Sequence, residues 1–494
     1  MASSAAVGKG QSGDGVIRSL IPARIDRLPW APFHTRMVTA LGVAWVLDGL
    51  EITIAGAVGA VLTEKGTLHL TSGTVGFIAT VYLLGEVFGA LLFGKLSDAL
   101  GRKNLFIVTL GVYLAGNAAT ALVWGNDSLA IGFLFLTRFV AGMGIGGEYA
   151  AINSAIDEMM PARYRGRVDI AVNGTYWGGA ILGTLGELFL LNVLPHSIAW
   201  RLGFLIGPAI GICIWNIRKH LPESPRWLIM HGREEEAEKN IAFIEKEVKG
   251  AGGEIPELDE SKAIDIRPQA PVNFLHLAKV LFVQYTSRSV LGATLMITQS
   301  FLYNAIFFTY TLVLVKVYKI DSGLAPAFLI AFAVGNLAGP LTIGRLFDTI
   351  GRRRMISGTY ILSGVLLAIS AMLFQAGVLN AYTQTAAWCV IFFFASAGAS
   401  AAYLTVSEIF PMEIRAQAIA LFFAIAQCFG AFGPWFYGKL IGDGSNHGSL
   451  TIGYLIGAGV MIVGGLVEVF IGIDAEGKSL EDVANPLSVV NQAA

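Results

Sequence analysis

The stretch Gly94–Lys103 reads GKLSDALGRK, and Gly344–Arg353 reads GRLFDTIGRR. The two phrases lie 250 residues apart, with Gly94, Asp98, Gly101 and Arg102 answered by Gly344, Asp348, Gly351 and Arg352. A second phrase keeps the same offset: Glu158-x-x-Pro161-x-x-x-Arg165 returns as Glu408-x-x-Pro411-x-x-x-Arg415. One constant offset over two separate phrases marks a duplicated design. Each copy sits between long apolar runs, so the repeating unit is a set of membrane helices.

Composition supports this reading. Of 494 residues, 54% are hydrophobic and only 14% charged. That is too little charge to cover a water-facing surface of this size. The apolar residues fall in blocks of about 20, the length that crosses a bilayer core as a helix. A net charge of −1 gives no overall pull toward nucleic acid. Cys213, Cys389 and Cys428 all lie inside apolar runs, which argues against a disulfide framework and against a zinc site. The first 36 residues lack the short apolar core of a signal peptide.

Twelve spans are predicted at 37–62, 74–96, 104–123, 129–151, 167–191, 199–218, 287–316, 323–347, 354–375, 384–404, 416–440 and 450–473. The fold expected is an all-α membrane protein with two pseudo-symmetric six-helix halves. Residues 1–36 form an N-terminal arm, 37–218 the first bundle, 219–286 a central segment, 287–473 the second bundle and 474–494 a tail. In the central segment, Ala237, Ile241, Ile244 and Val248 recur at helical spacing. They predict an amphipathic helix lying on the inner face of the membrane. The stretch GAGGEIPELDE (250–260) is expected to be loop.

Lys and Arg set the orientation. With both termini in the cytoplasm, the short inner loops carry Lys95, Arg102, Lys103, Arg163, Arg165, Arg167, Arg345, Arg352, Arg353, Arg354 and Arg415. The outer side then holds only Lys65, Arg201, Lys316, Lys319 and Lys439. The repeated charged residues therefore gather on the cytoplasmic face. Pairing across the halves would close that face, and parting would open it. Gly94, Asp98, Arg102, Glu158, Arg165, Asp348, Arg352, Glu408 and Arg415 are the candidate gate.

Charges inside the spans are the second signal. An ionised side chain near the middle of a span costs about 3 kcal/mol or more. Asp48 is such a residue in the first span, Glu51 follows on the same helix face, and Arg138 lies in the fourth span. Burial disfavours an ionised carboxyl and a nearby guanidinium favours it. An Asp48–Arg138 pair could thus hold or release a proton. Glu86, Glu187 and Glu468 add further acids in the second, fifth and twelfth spans. Polar and aromatic residues in otherwise apolar helices should face the bundle interior: Asn173, Trp177, Gln299, Tyr303, Asn304, Asn336, Tyr403 and Gln427. Amides donate and accept, which suits hydroxyls, carboxyls and carboxamides. Aromatics offer a flat wall to a ring.

The two quoted phrases resemble the signature loops of the major facilitator superfamily. Arg138-x-x-x-Gly142-x-Gly144-x-Gly146, Glu158-x-x-Pro161-x-x-x-Arg165-Gly166, PESPRWL (222–228) and Ser407-Glu408-Ile409-Phe410-Pro411 are similar to its sugar-porter branch and metabolite:proton symporter relatives. Asp48-Gly49-Leu50-Glu51 looks more like the aromatic-acid and synaptic-vesicle-protein-like branches. The resemblance implies a proton-coupling role for Asp48 and Arg138. It also places Asn173, Gln299 and Asn304 at sugar-binding amide positions, and Tyr403 where a Trp is usual. The function expected is proton-coupled uptake of a small polar metabolite by alternating access. That metabolite would be a sugar or polyol, or a small organic or aromatic acid. The protein would act as a multi-pass monomer in the cell membrane. The rivals are an uncoupled facilitator and a non-transporting nutrient sensor. No cofactor, metal, catalytic residue or nucleic-acid partner is expected: the chain has no metal-ligand set, no nucleophile motif and no P-loop.

Overall fold

A computed structural model describes residues 11–12, 16–218, 222–266, 274–411 and 414–474. The tail at 475–494 lies outside the described residues, as do the side chains of Asp98, Arg102, Glu158, Arg165, Asn173, Asp348 and Arg415. The helices of the first half are α2 (Pro32–Val58), α3 (Ser72–Leu100), α4 (Arg102–Ala121), α5 (Ser128–Met159), α6 (Ala162–Val193) and α7 (His196–Arg218). A short α1 (Ile21–Asp26) precedes them, and α8 (Pro225–Met230), α9 (Glu234–Gly250) and α10 (Phe274–Lys279) follow. The second half contains α11 (Thr286–Phe307), α12 (Tyr310–Lys316), α13 (Ala325–Ile343), α14 (Leu346–Thr349), α15 (Arg352–Gln375), α16 (Ala381–Glu408), α17 (Arg415–Ile441) and α18 (His447–Ile471). With α11 and α12 counted as one interrupted span, each half has six.

In lipid every backbone polar group must be satisfied within the protein, so apolar runs of this length become helices. Among the described residues, ten helices are long and apolar enough to cross a membrane. The remaining two, α6 and α7, have 32 and 23 residues, ample for a crossing at about 1.5 Å per residue. Leu129, Ile212 and Phe470 are exposed on the outside of the bundle, as lipid-facing side chains are. Several helices run past the sequence-predicted limits, notably α3 to Leu100 and α5 to Met159. Hydropathy marks where lipid ends, but helical hydrogen bonding continues beyond it.

GKLSDALGRK is therefore helical almost to its end. The turn is made by Gly101 alone, at φ +82°, and its counterpart Gly351 has φ +110°. Both values lie where L-residues are strained, which explains the recurrence of glycine there.

The halves repeat each other in packing as in sequence. The contacts α2–α6, α3–α5, α4–α5, α4–α7 and α2–α7 recur as α11–α17, α13–α16, α15–α16, α15–α18 and α11–α18. Across the halves, α3 packs on α17, and α13 packs on α6. This is the pattern of a two-fold axis running between the halves. Close approach of α3 and α5 depends on glycines: a Cβ on Gly142 or Gly146 would strike the backbone carbonyls of Tyr82 or Glu86.

One end of the bundle, here the basic face, carries Gly101, Gly351 and a polar platform. In the platform, α9 buries Ala237, Ile241, Ile244 and Val248, the four residues picked by spacing. Their partner is not the membrane. They pack in one apolar cluster with Ile21, Ile25, Leu28, Phe33, Met37, Trp227 and Leu228. The segment before the first span supplies enough apolar surface to cover α9, so lipid is not needed. Arg24 Nε donates to Glu245 Oε1 at 3.0 Å, and Arg27 Nη2 donates to the same oxygen at 2.8 Å. The strands β1 (Gln11–Ser12), β2 (Val16–Ser19) and β3 (Ile264–Ile266) form an antiparallel sheet, so the N-terminal arm and central segment pack as one unit. Glu223 Oε2 accepts from Lys103 N at 3.2 Å, tying this unit to the first turn of α4.

At the opposite, far face the halves are joined by polar contacts. Ser72 Oγ donates to Gly442 O and Thr311 Oγ1 to Gly56 O, each at 2.7 Å. Glu64, in the first half, accepts from Ser322 in the second, and lies 2.8 Å from His196 Nδ1.

Candidate functional site

The centre of the first half holds a buried ion pair. Arg138 Nη1 on α5 donates to Glu51 Oε1 on α2 at 2.7 Å and to Asn117 Oδ1 on α4 at 2.8 Å. Arg138 is 1% exposed and Glu51 0%. The guanidinium lies over the rings of Tyr82 and Phe204, 4.5 and 4.7 Å from their centroids. A desolvated cation between two aromatic faces gains about 2 kcal/mol from their quadrupoles.

This corrects the pairing expected from sequence: the ion pair of Arg138 is with Glu51, not Asp48. The two acids share a helix face but stand one turn apart, and the guanidinium reaches the later one. Asp48 is itself buried and within electrostatic range of Tyr82, Glu86, Tyr176 and Tyr403.

A second polar cluster joins the halves. Gln427 Nε2 on α17 donates to Glu86 Oε2 on α3 at 2.5 Å. The Gln427 Oε1 atom accepts from Ser300 Oγ at 2.5 Å and from Asn304 Nδ2 at 3.0 Å, both on α11. Gly430, one turn along α17 from Gln427, leaves room for this cluster; a Cβ there would meet Asn304 Nδ2 at 2.7 Å. Beside it, Tyr303 Oη donates to Asn336 Oδ1 on α13 at 2.7 Å. Tyr403 on α16 lies beside Gln299 of α11. Trp177 on α6 faces Tyr303 with ring centroids 6.3 Å apart, and Tyr303 meets Phe392 edge-on at 4.9 Å.

The sequence-chosen residues Trp177, Gln299, Tyr303, Asn304, Asn336, Tyr403 and Gln427 thus fall into linked polar and aromatic groups on both halves. Glu86, expected only as a further intramembrane acid, completes these groups together with Asn117 and Ser300, which the sequence reading did not name. Glu86 and Asn117 carry a legible signal, as polar residues in apolar spans; Ser300 becomes visible only as the residue one turn before Asn304. Glu187, another intramembrane acid, is fully buried in the first half, with its carboxylate against Gly203 of α7. Of the gate candidates, Arg352 pairs with Glu408, both in the second half. Gly94 is near Ala420 of α17, at the basic end of the contact between halves.

Two six-helix halves around a midplane cluster, with charges buried beside it, define a secondary transporter. The chain belongs to the sugar (and other) transporter family, whose sequence profile matches residues 50–486. It is 27% identical over 468 residues to the niacin transporter NiaP of Acinetobacter baylyi, covering 93% of this chain and 99% of that one. It is 25% identical over 471 residues to the 4-hydroxybenzoate transporter PcaK of Pseudomonas putida, covering 93% and 98%. The crystal structure of a D-xylose–proton symporter superposes with a TM-score of 0.70 at 17% identity, over 90% of this chain and all of that one. The protein is a major facilitator of the sugar and metabolite transporter type, a carrier and not an enzyme, with multiple passes through the cell membrane.

Proposed function

We propose that the protein imports a small polar metabolite together with protons, by rocking its halves about the midplane cluster. The basic face is the cytoplasmic one, by the excess of Lys and Arg there. The observation that carries this reading is the charge balance of the interior. Three buried carboxyls, Asp48, Glu51 and Glu86, stand around one guanidinium, Arg138. Charges in a dry interior must be matched, and protons are the available means of neutralising the excess acid.

The cargo binds between Trp177 and the α11 and α17 amides, where rings and hydrogen-bonding groups occur together. That lining suits a sugar or polyol, or a small organic or aromatic acid, and the transporters for niacin and 4-hydroxybenzoate among the relatives favour the acid. One monomer forms the whole site. Arg352 and Glu408, with the other repeated charges, act at the cytoplasmic gate.

Uptake into proteoliposomes by the purified protein tests this. Niacin, 4-hydroxybenzoate and D-xylose are offered with and without an acid-outside pH gradient. The expected result is gradient-dependent accumulation of at least one of them. Equal flux without a gradient would indicate an uncoupled facilitator, and binding without flux a sensor.

A further inference from the structure

Glu86 is a buried acid of the first half whose only described hydrogen bond is to the second. Its Oε1 atom is buried without a hydrogen-bond partner among the described residues. An ionised carboxylate can only accept. While Glu86 is ionised, the NH2 group of Gln427 must therefore face it. The Gln427 carbonyl then faces Ser300 and Asn304, and both must donate to it, as they do. Asn304 Nδ2 also donates to Ser300 Oγ, at 3.2 Å, so both of its protons are taken up within the cluster. Every donor and acceptor along this line follows from the charge on Glu86.

We infer that protonation of Glu86 reverses the hydrogen-bond polarity of Gln427, Ser300 and Asn304, making Glu86 a specificity-determining residue that presents donors to an anionic or carbonyl-bearing cargo. This rests on the proton-coupled reading above. The step is a proton transfer onto a Glu86 oxygen, with no other bond made or broken. The new O–H donates to Gln427 Oε1, and the Gln427 amide turns by half a rotation. Its NH2 group then faces Ser300 Oγ and, with the Asn304 amide turned likewise, Asn304 Oδ1, which accept from it. The Asn304 NH2 is released toward the cargo. Removing the Glu86 charge also removes repulsion of a carboxylate at the same place, so proton and anion favour each other's binding.

The groups facing Glu86 are compatible with this. Asp48 comes from α2, Tyr82 from α3 itself, Arg138 from α5, Tyr176 from α6 and Tyr403 from α16. The one cation among them, Arg138, is held by Glu51 and Asn117, and α17 offers the neutral Gln427. Glu86 is therefore left with an amide, the partner whose orientation responds to a proton.

Infrared difference spectroscopy of the full-length protein in lipid nanodiscs, titrated in pH without cargo, tests the inference. In the wild type a protonated-carboxyl band should disappear as pH rises, and that component should be missing in Glu86→Gln. An amide carbonyl band, assigned to Gln427 by its loss in Gln427→Leu, should shift in the same titration and stay fixed in Glu86→Gln. Should Glu86→Gln fail to fold, Gln427→Asn serves: it shortens the amide and must move the midpoint of the Glu86 band. An unchanged carboxyl titration in Glu86→Gln or Gln427→Asn, or an amide band that stays still while Glu86 titrates, overturns the inference. Failure of wild-type proteoliposomes to accumulate cargo under a pH gradient would overturn the transport reading, and the infrared titration would still report on Glu86.

Discussion

Replacing Arg138 by Met removes the cation that, among the described residues, stands alone in the buried cluster, while keeping much of its volume. Glu51 loses a 2.7 Å charged hydrogen bond, and Asn117 Oδ1 loses its 2.8 Å donor. Breaking a buried pair by deleting one partner costs about 3–5 kcal/mol, because the other charge is left uncompensated. Loss of the stacking on Tyr82 and Phe204 adds about 1–2 kcal/mol, though the two losses are not additive. Glu51 can escape part of this cost by taking a proton. The sign follows: a neutral Glu51 needs no partner, so the variant should be least destabilised in acid and increasingly so as pH rises. Thermal unfolding of Arg138→Met and wild type in detergent, across a pH series, measures this directly. A loss of stability that is the same at every pH, or no loss at all, would refute the claim that Arg138 neutralises a buried acid. Glu51→Gln in the Arg138→Met background should recover stability at high pH, since it removes the orphaned charge.

Three further outcomes follow from other parts of the molecule. Gly351→Ala places a side chain at φ +110°, at a cost of about 1–3 kcal/mol, and should lower the thermal midpoint of the purified protein. On the platform, burial pushes the Glu245 carboxyl up, but hydrogen bonds from Arg24 and Arg27 outweigh it and hold it below its ordinary value of 4.5. A depressed carboxyl stabilises fully above that ordinary value and loses its contribution as pH falls through the lower folded value. Protection of α9 from protease should accordingly persist at pH 5 to 7 and fail in stronger acid. Arg24→Ala with Arg27→Ala should weaken it at neutral pH by about 1 kcal/mol, the scale of partly exposed pairs. Finally, Glu64→Cys with Ser322→Cys, in a background lacking Cys213, Cys389 and Cys428, places two thiols across the far-face contact between halves. Oxidation should stop cargo flux and a reductant should restore it; undiminished flux in the crosslinked protein would contradict alternating access.

The chain's own pattern determined the number of spans, the duplication and the α9 helix. These depend on local quantities: the length of an apolar run, a constant offset of 250 residues, and a repeat near 3.6 residues at Ala237, Ile241, Ile244 and Val248. Cost alone singled out Asp48, Glu51 and Arg138, since charge within lipid is conspicuous wherever it occurs. Which of them pair was decided by the tertiary structure. The assembly of the whole first bundle brings Glu51, and not Asp48, to Arg138. The same holds for the partner of α9, which is the segment before the first span, and for Glu86 and Gln427, 341 residues apart in the chain. A hydrophobic pattern records which face of a helix avoids water. It carries no information about which other helix that face will meet, because that choice rests on the packing of backbones brought together only when the bundle closes.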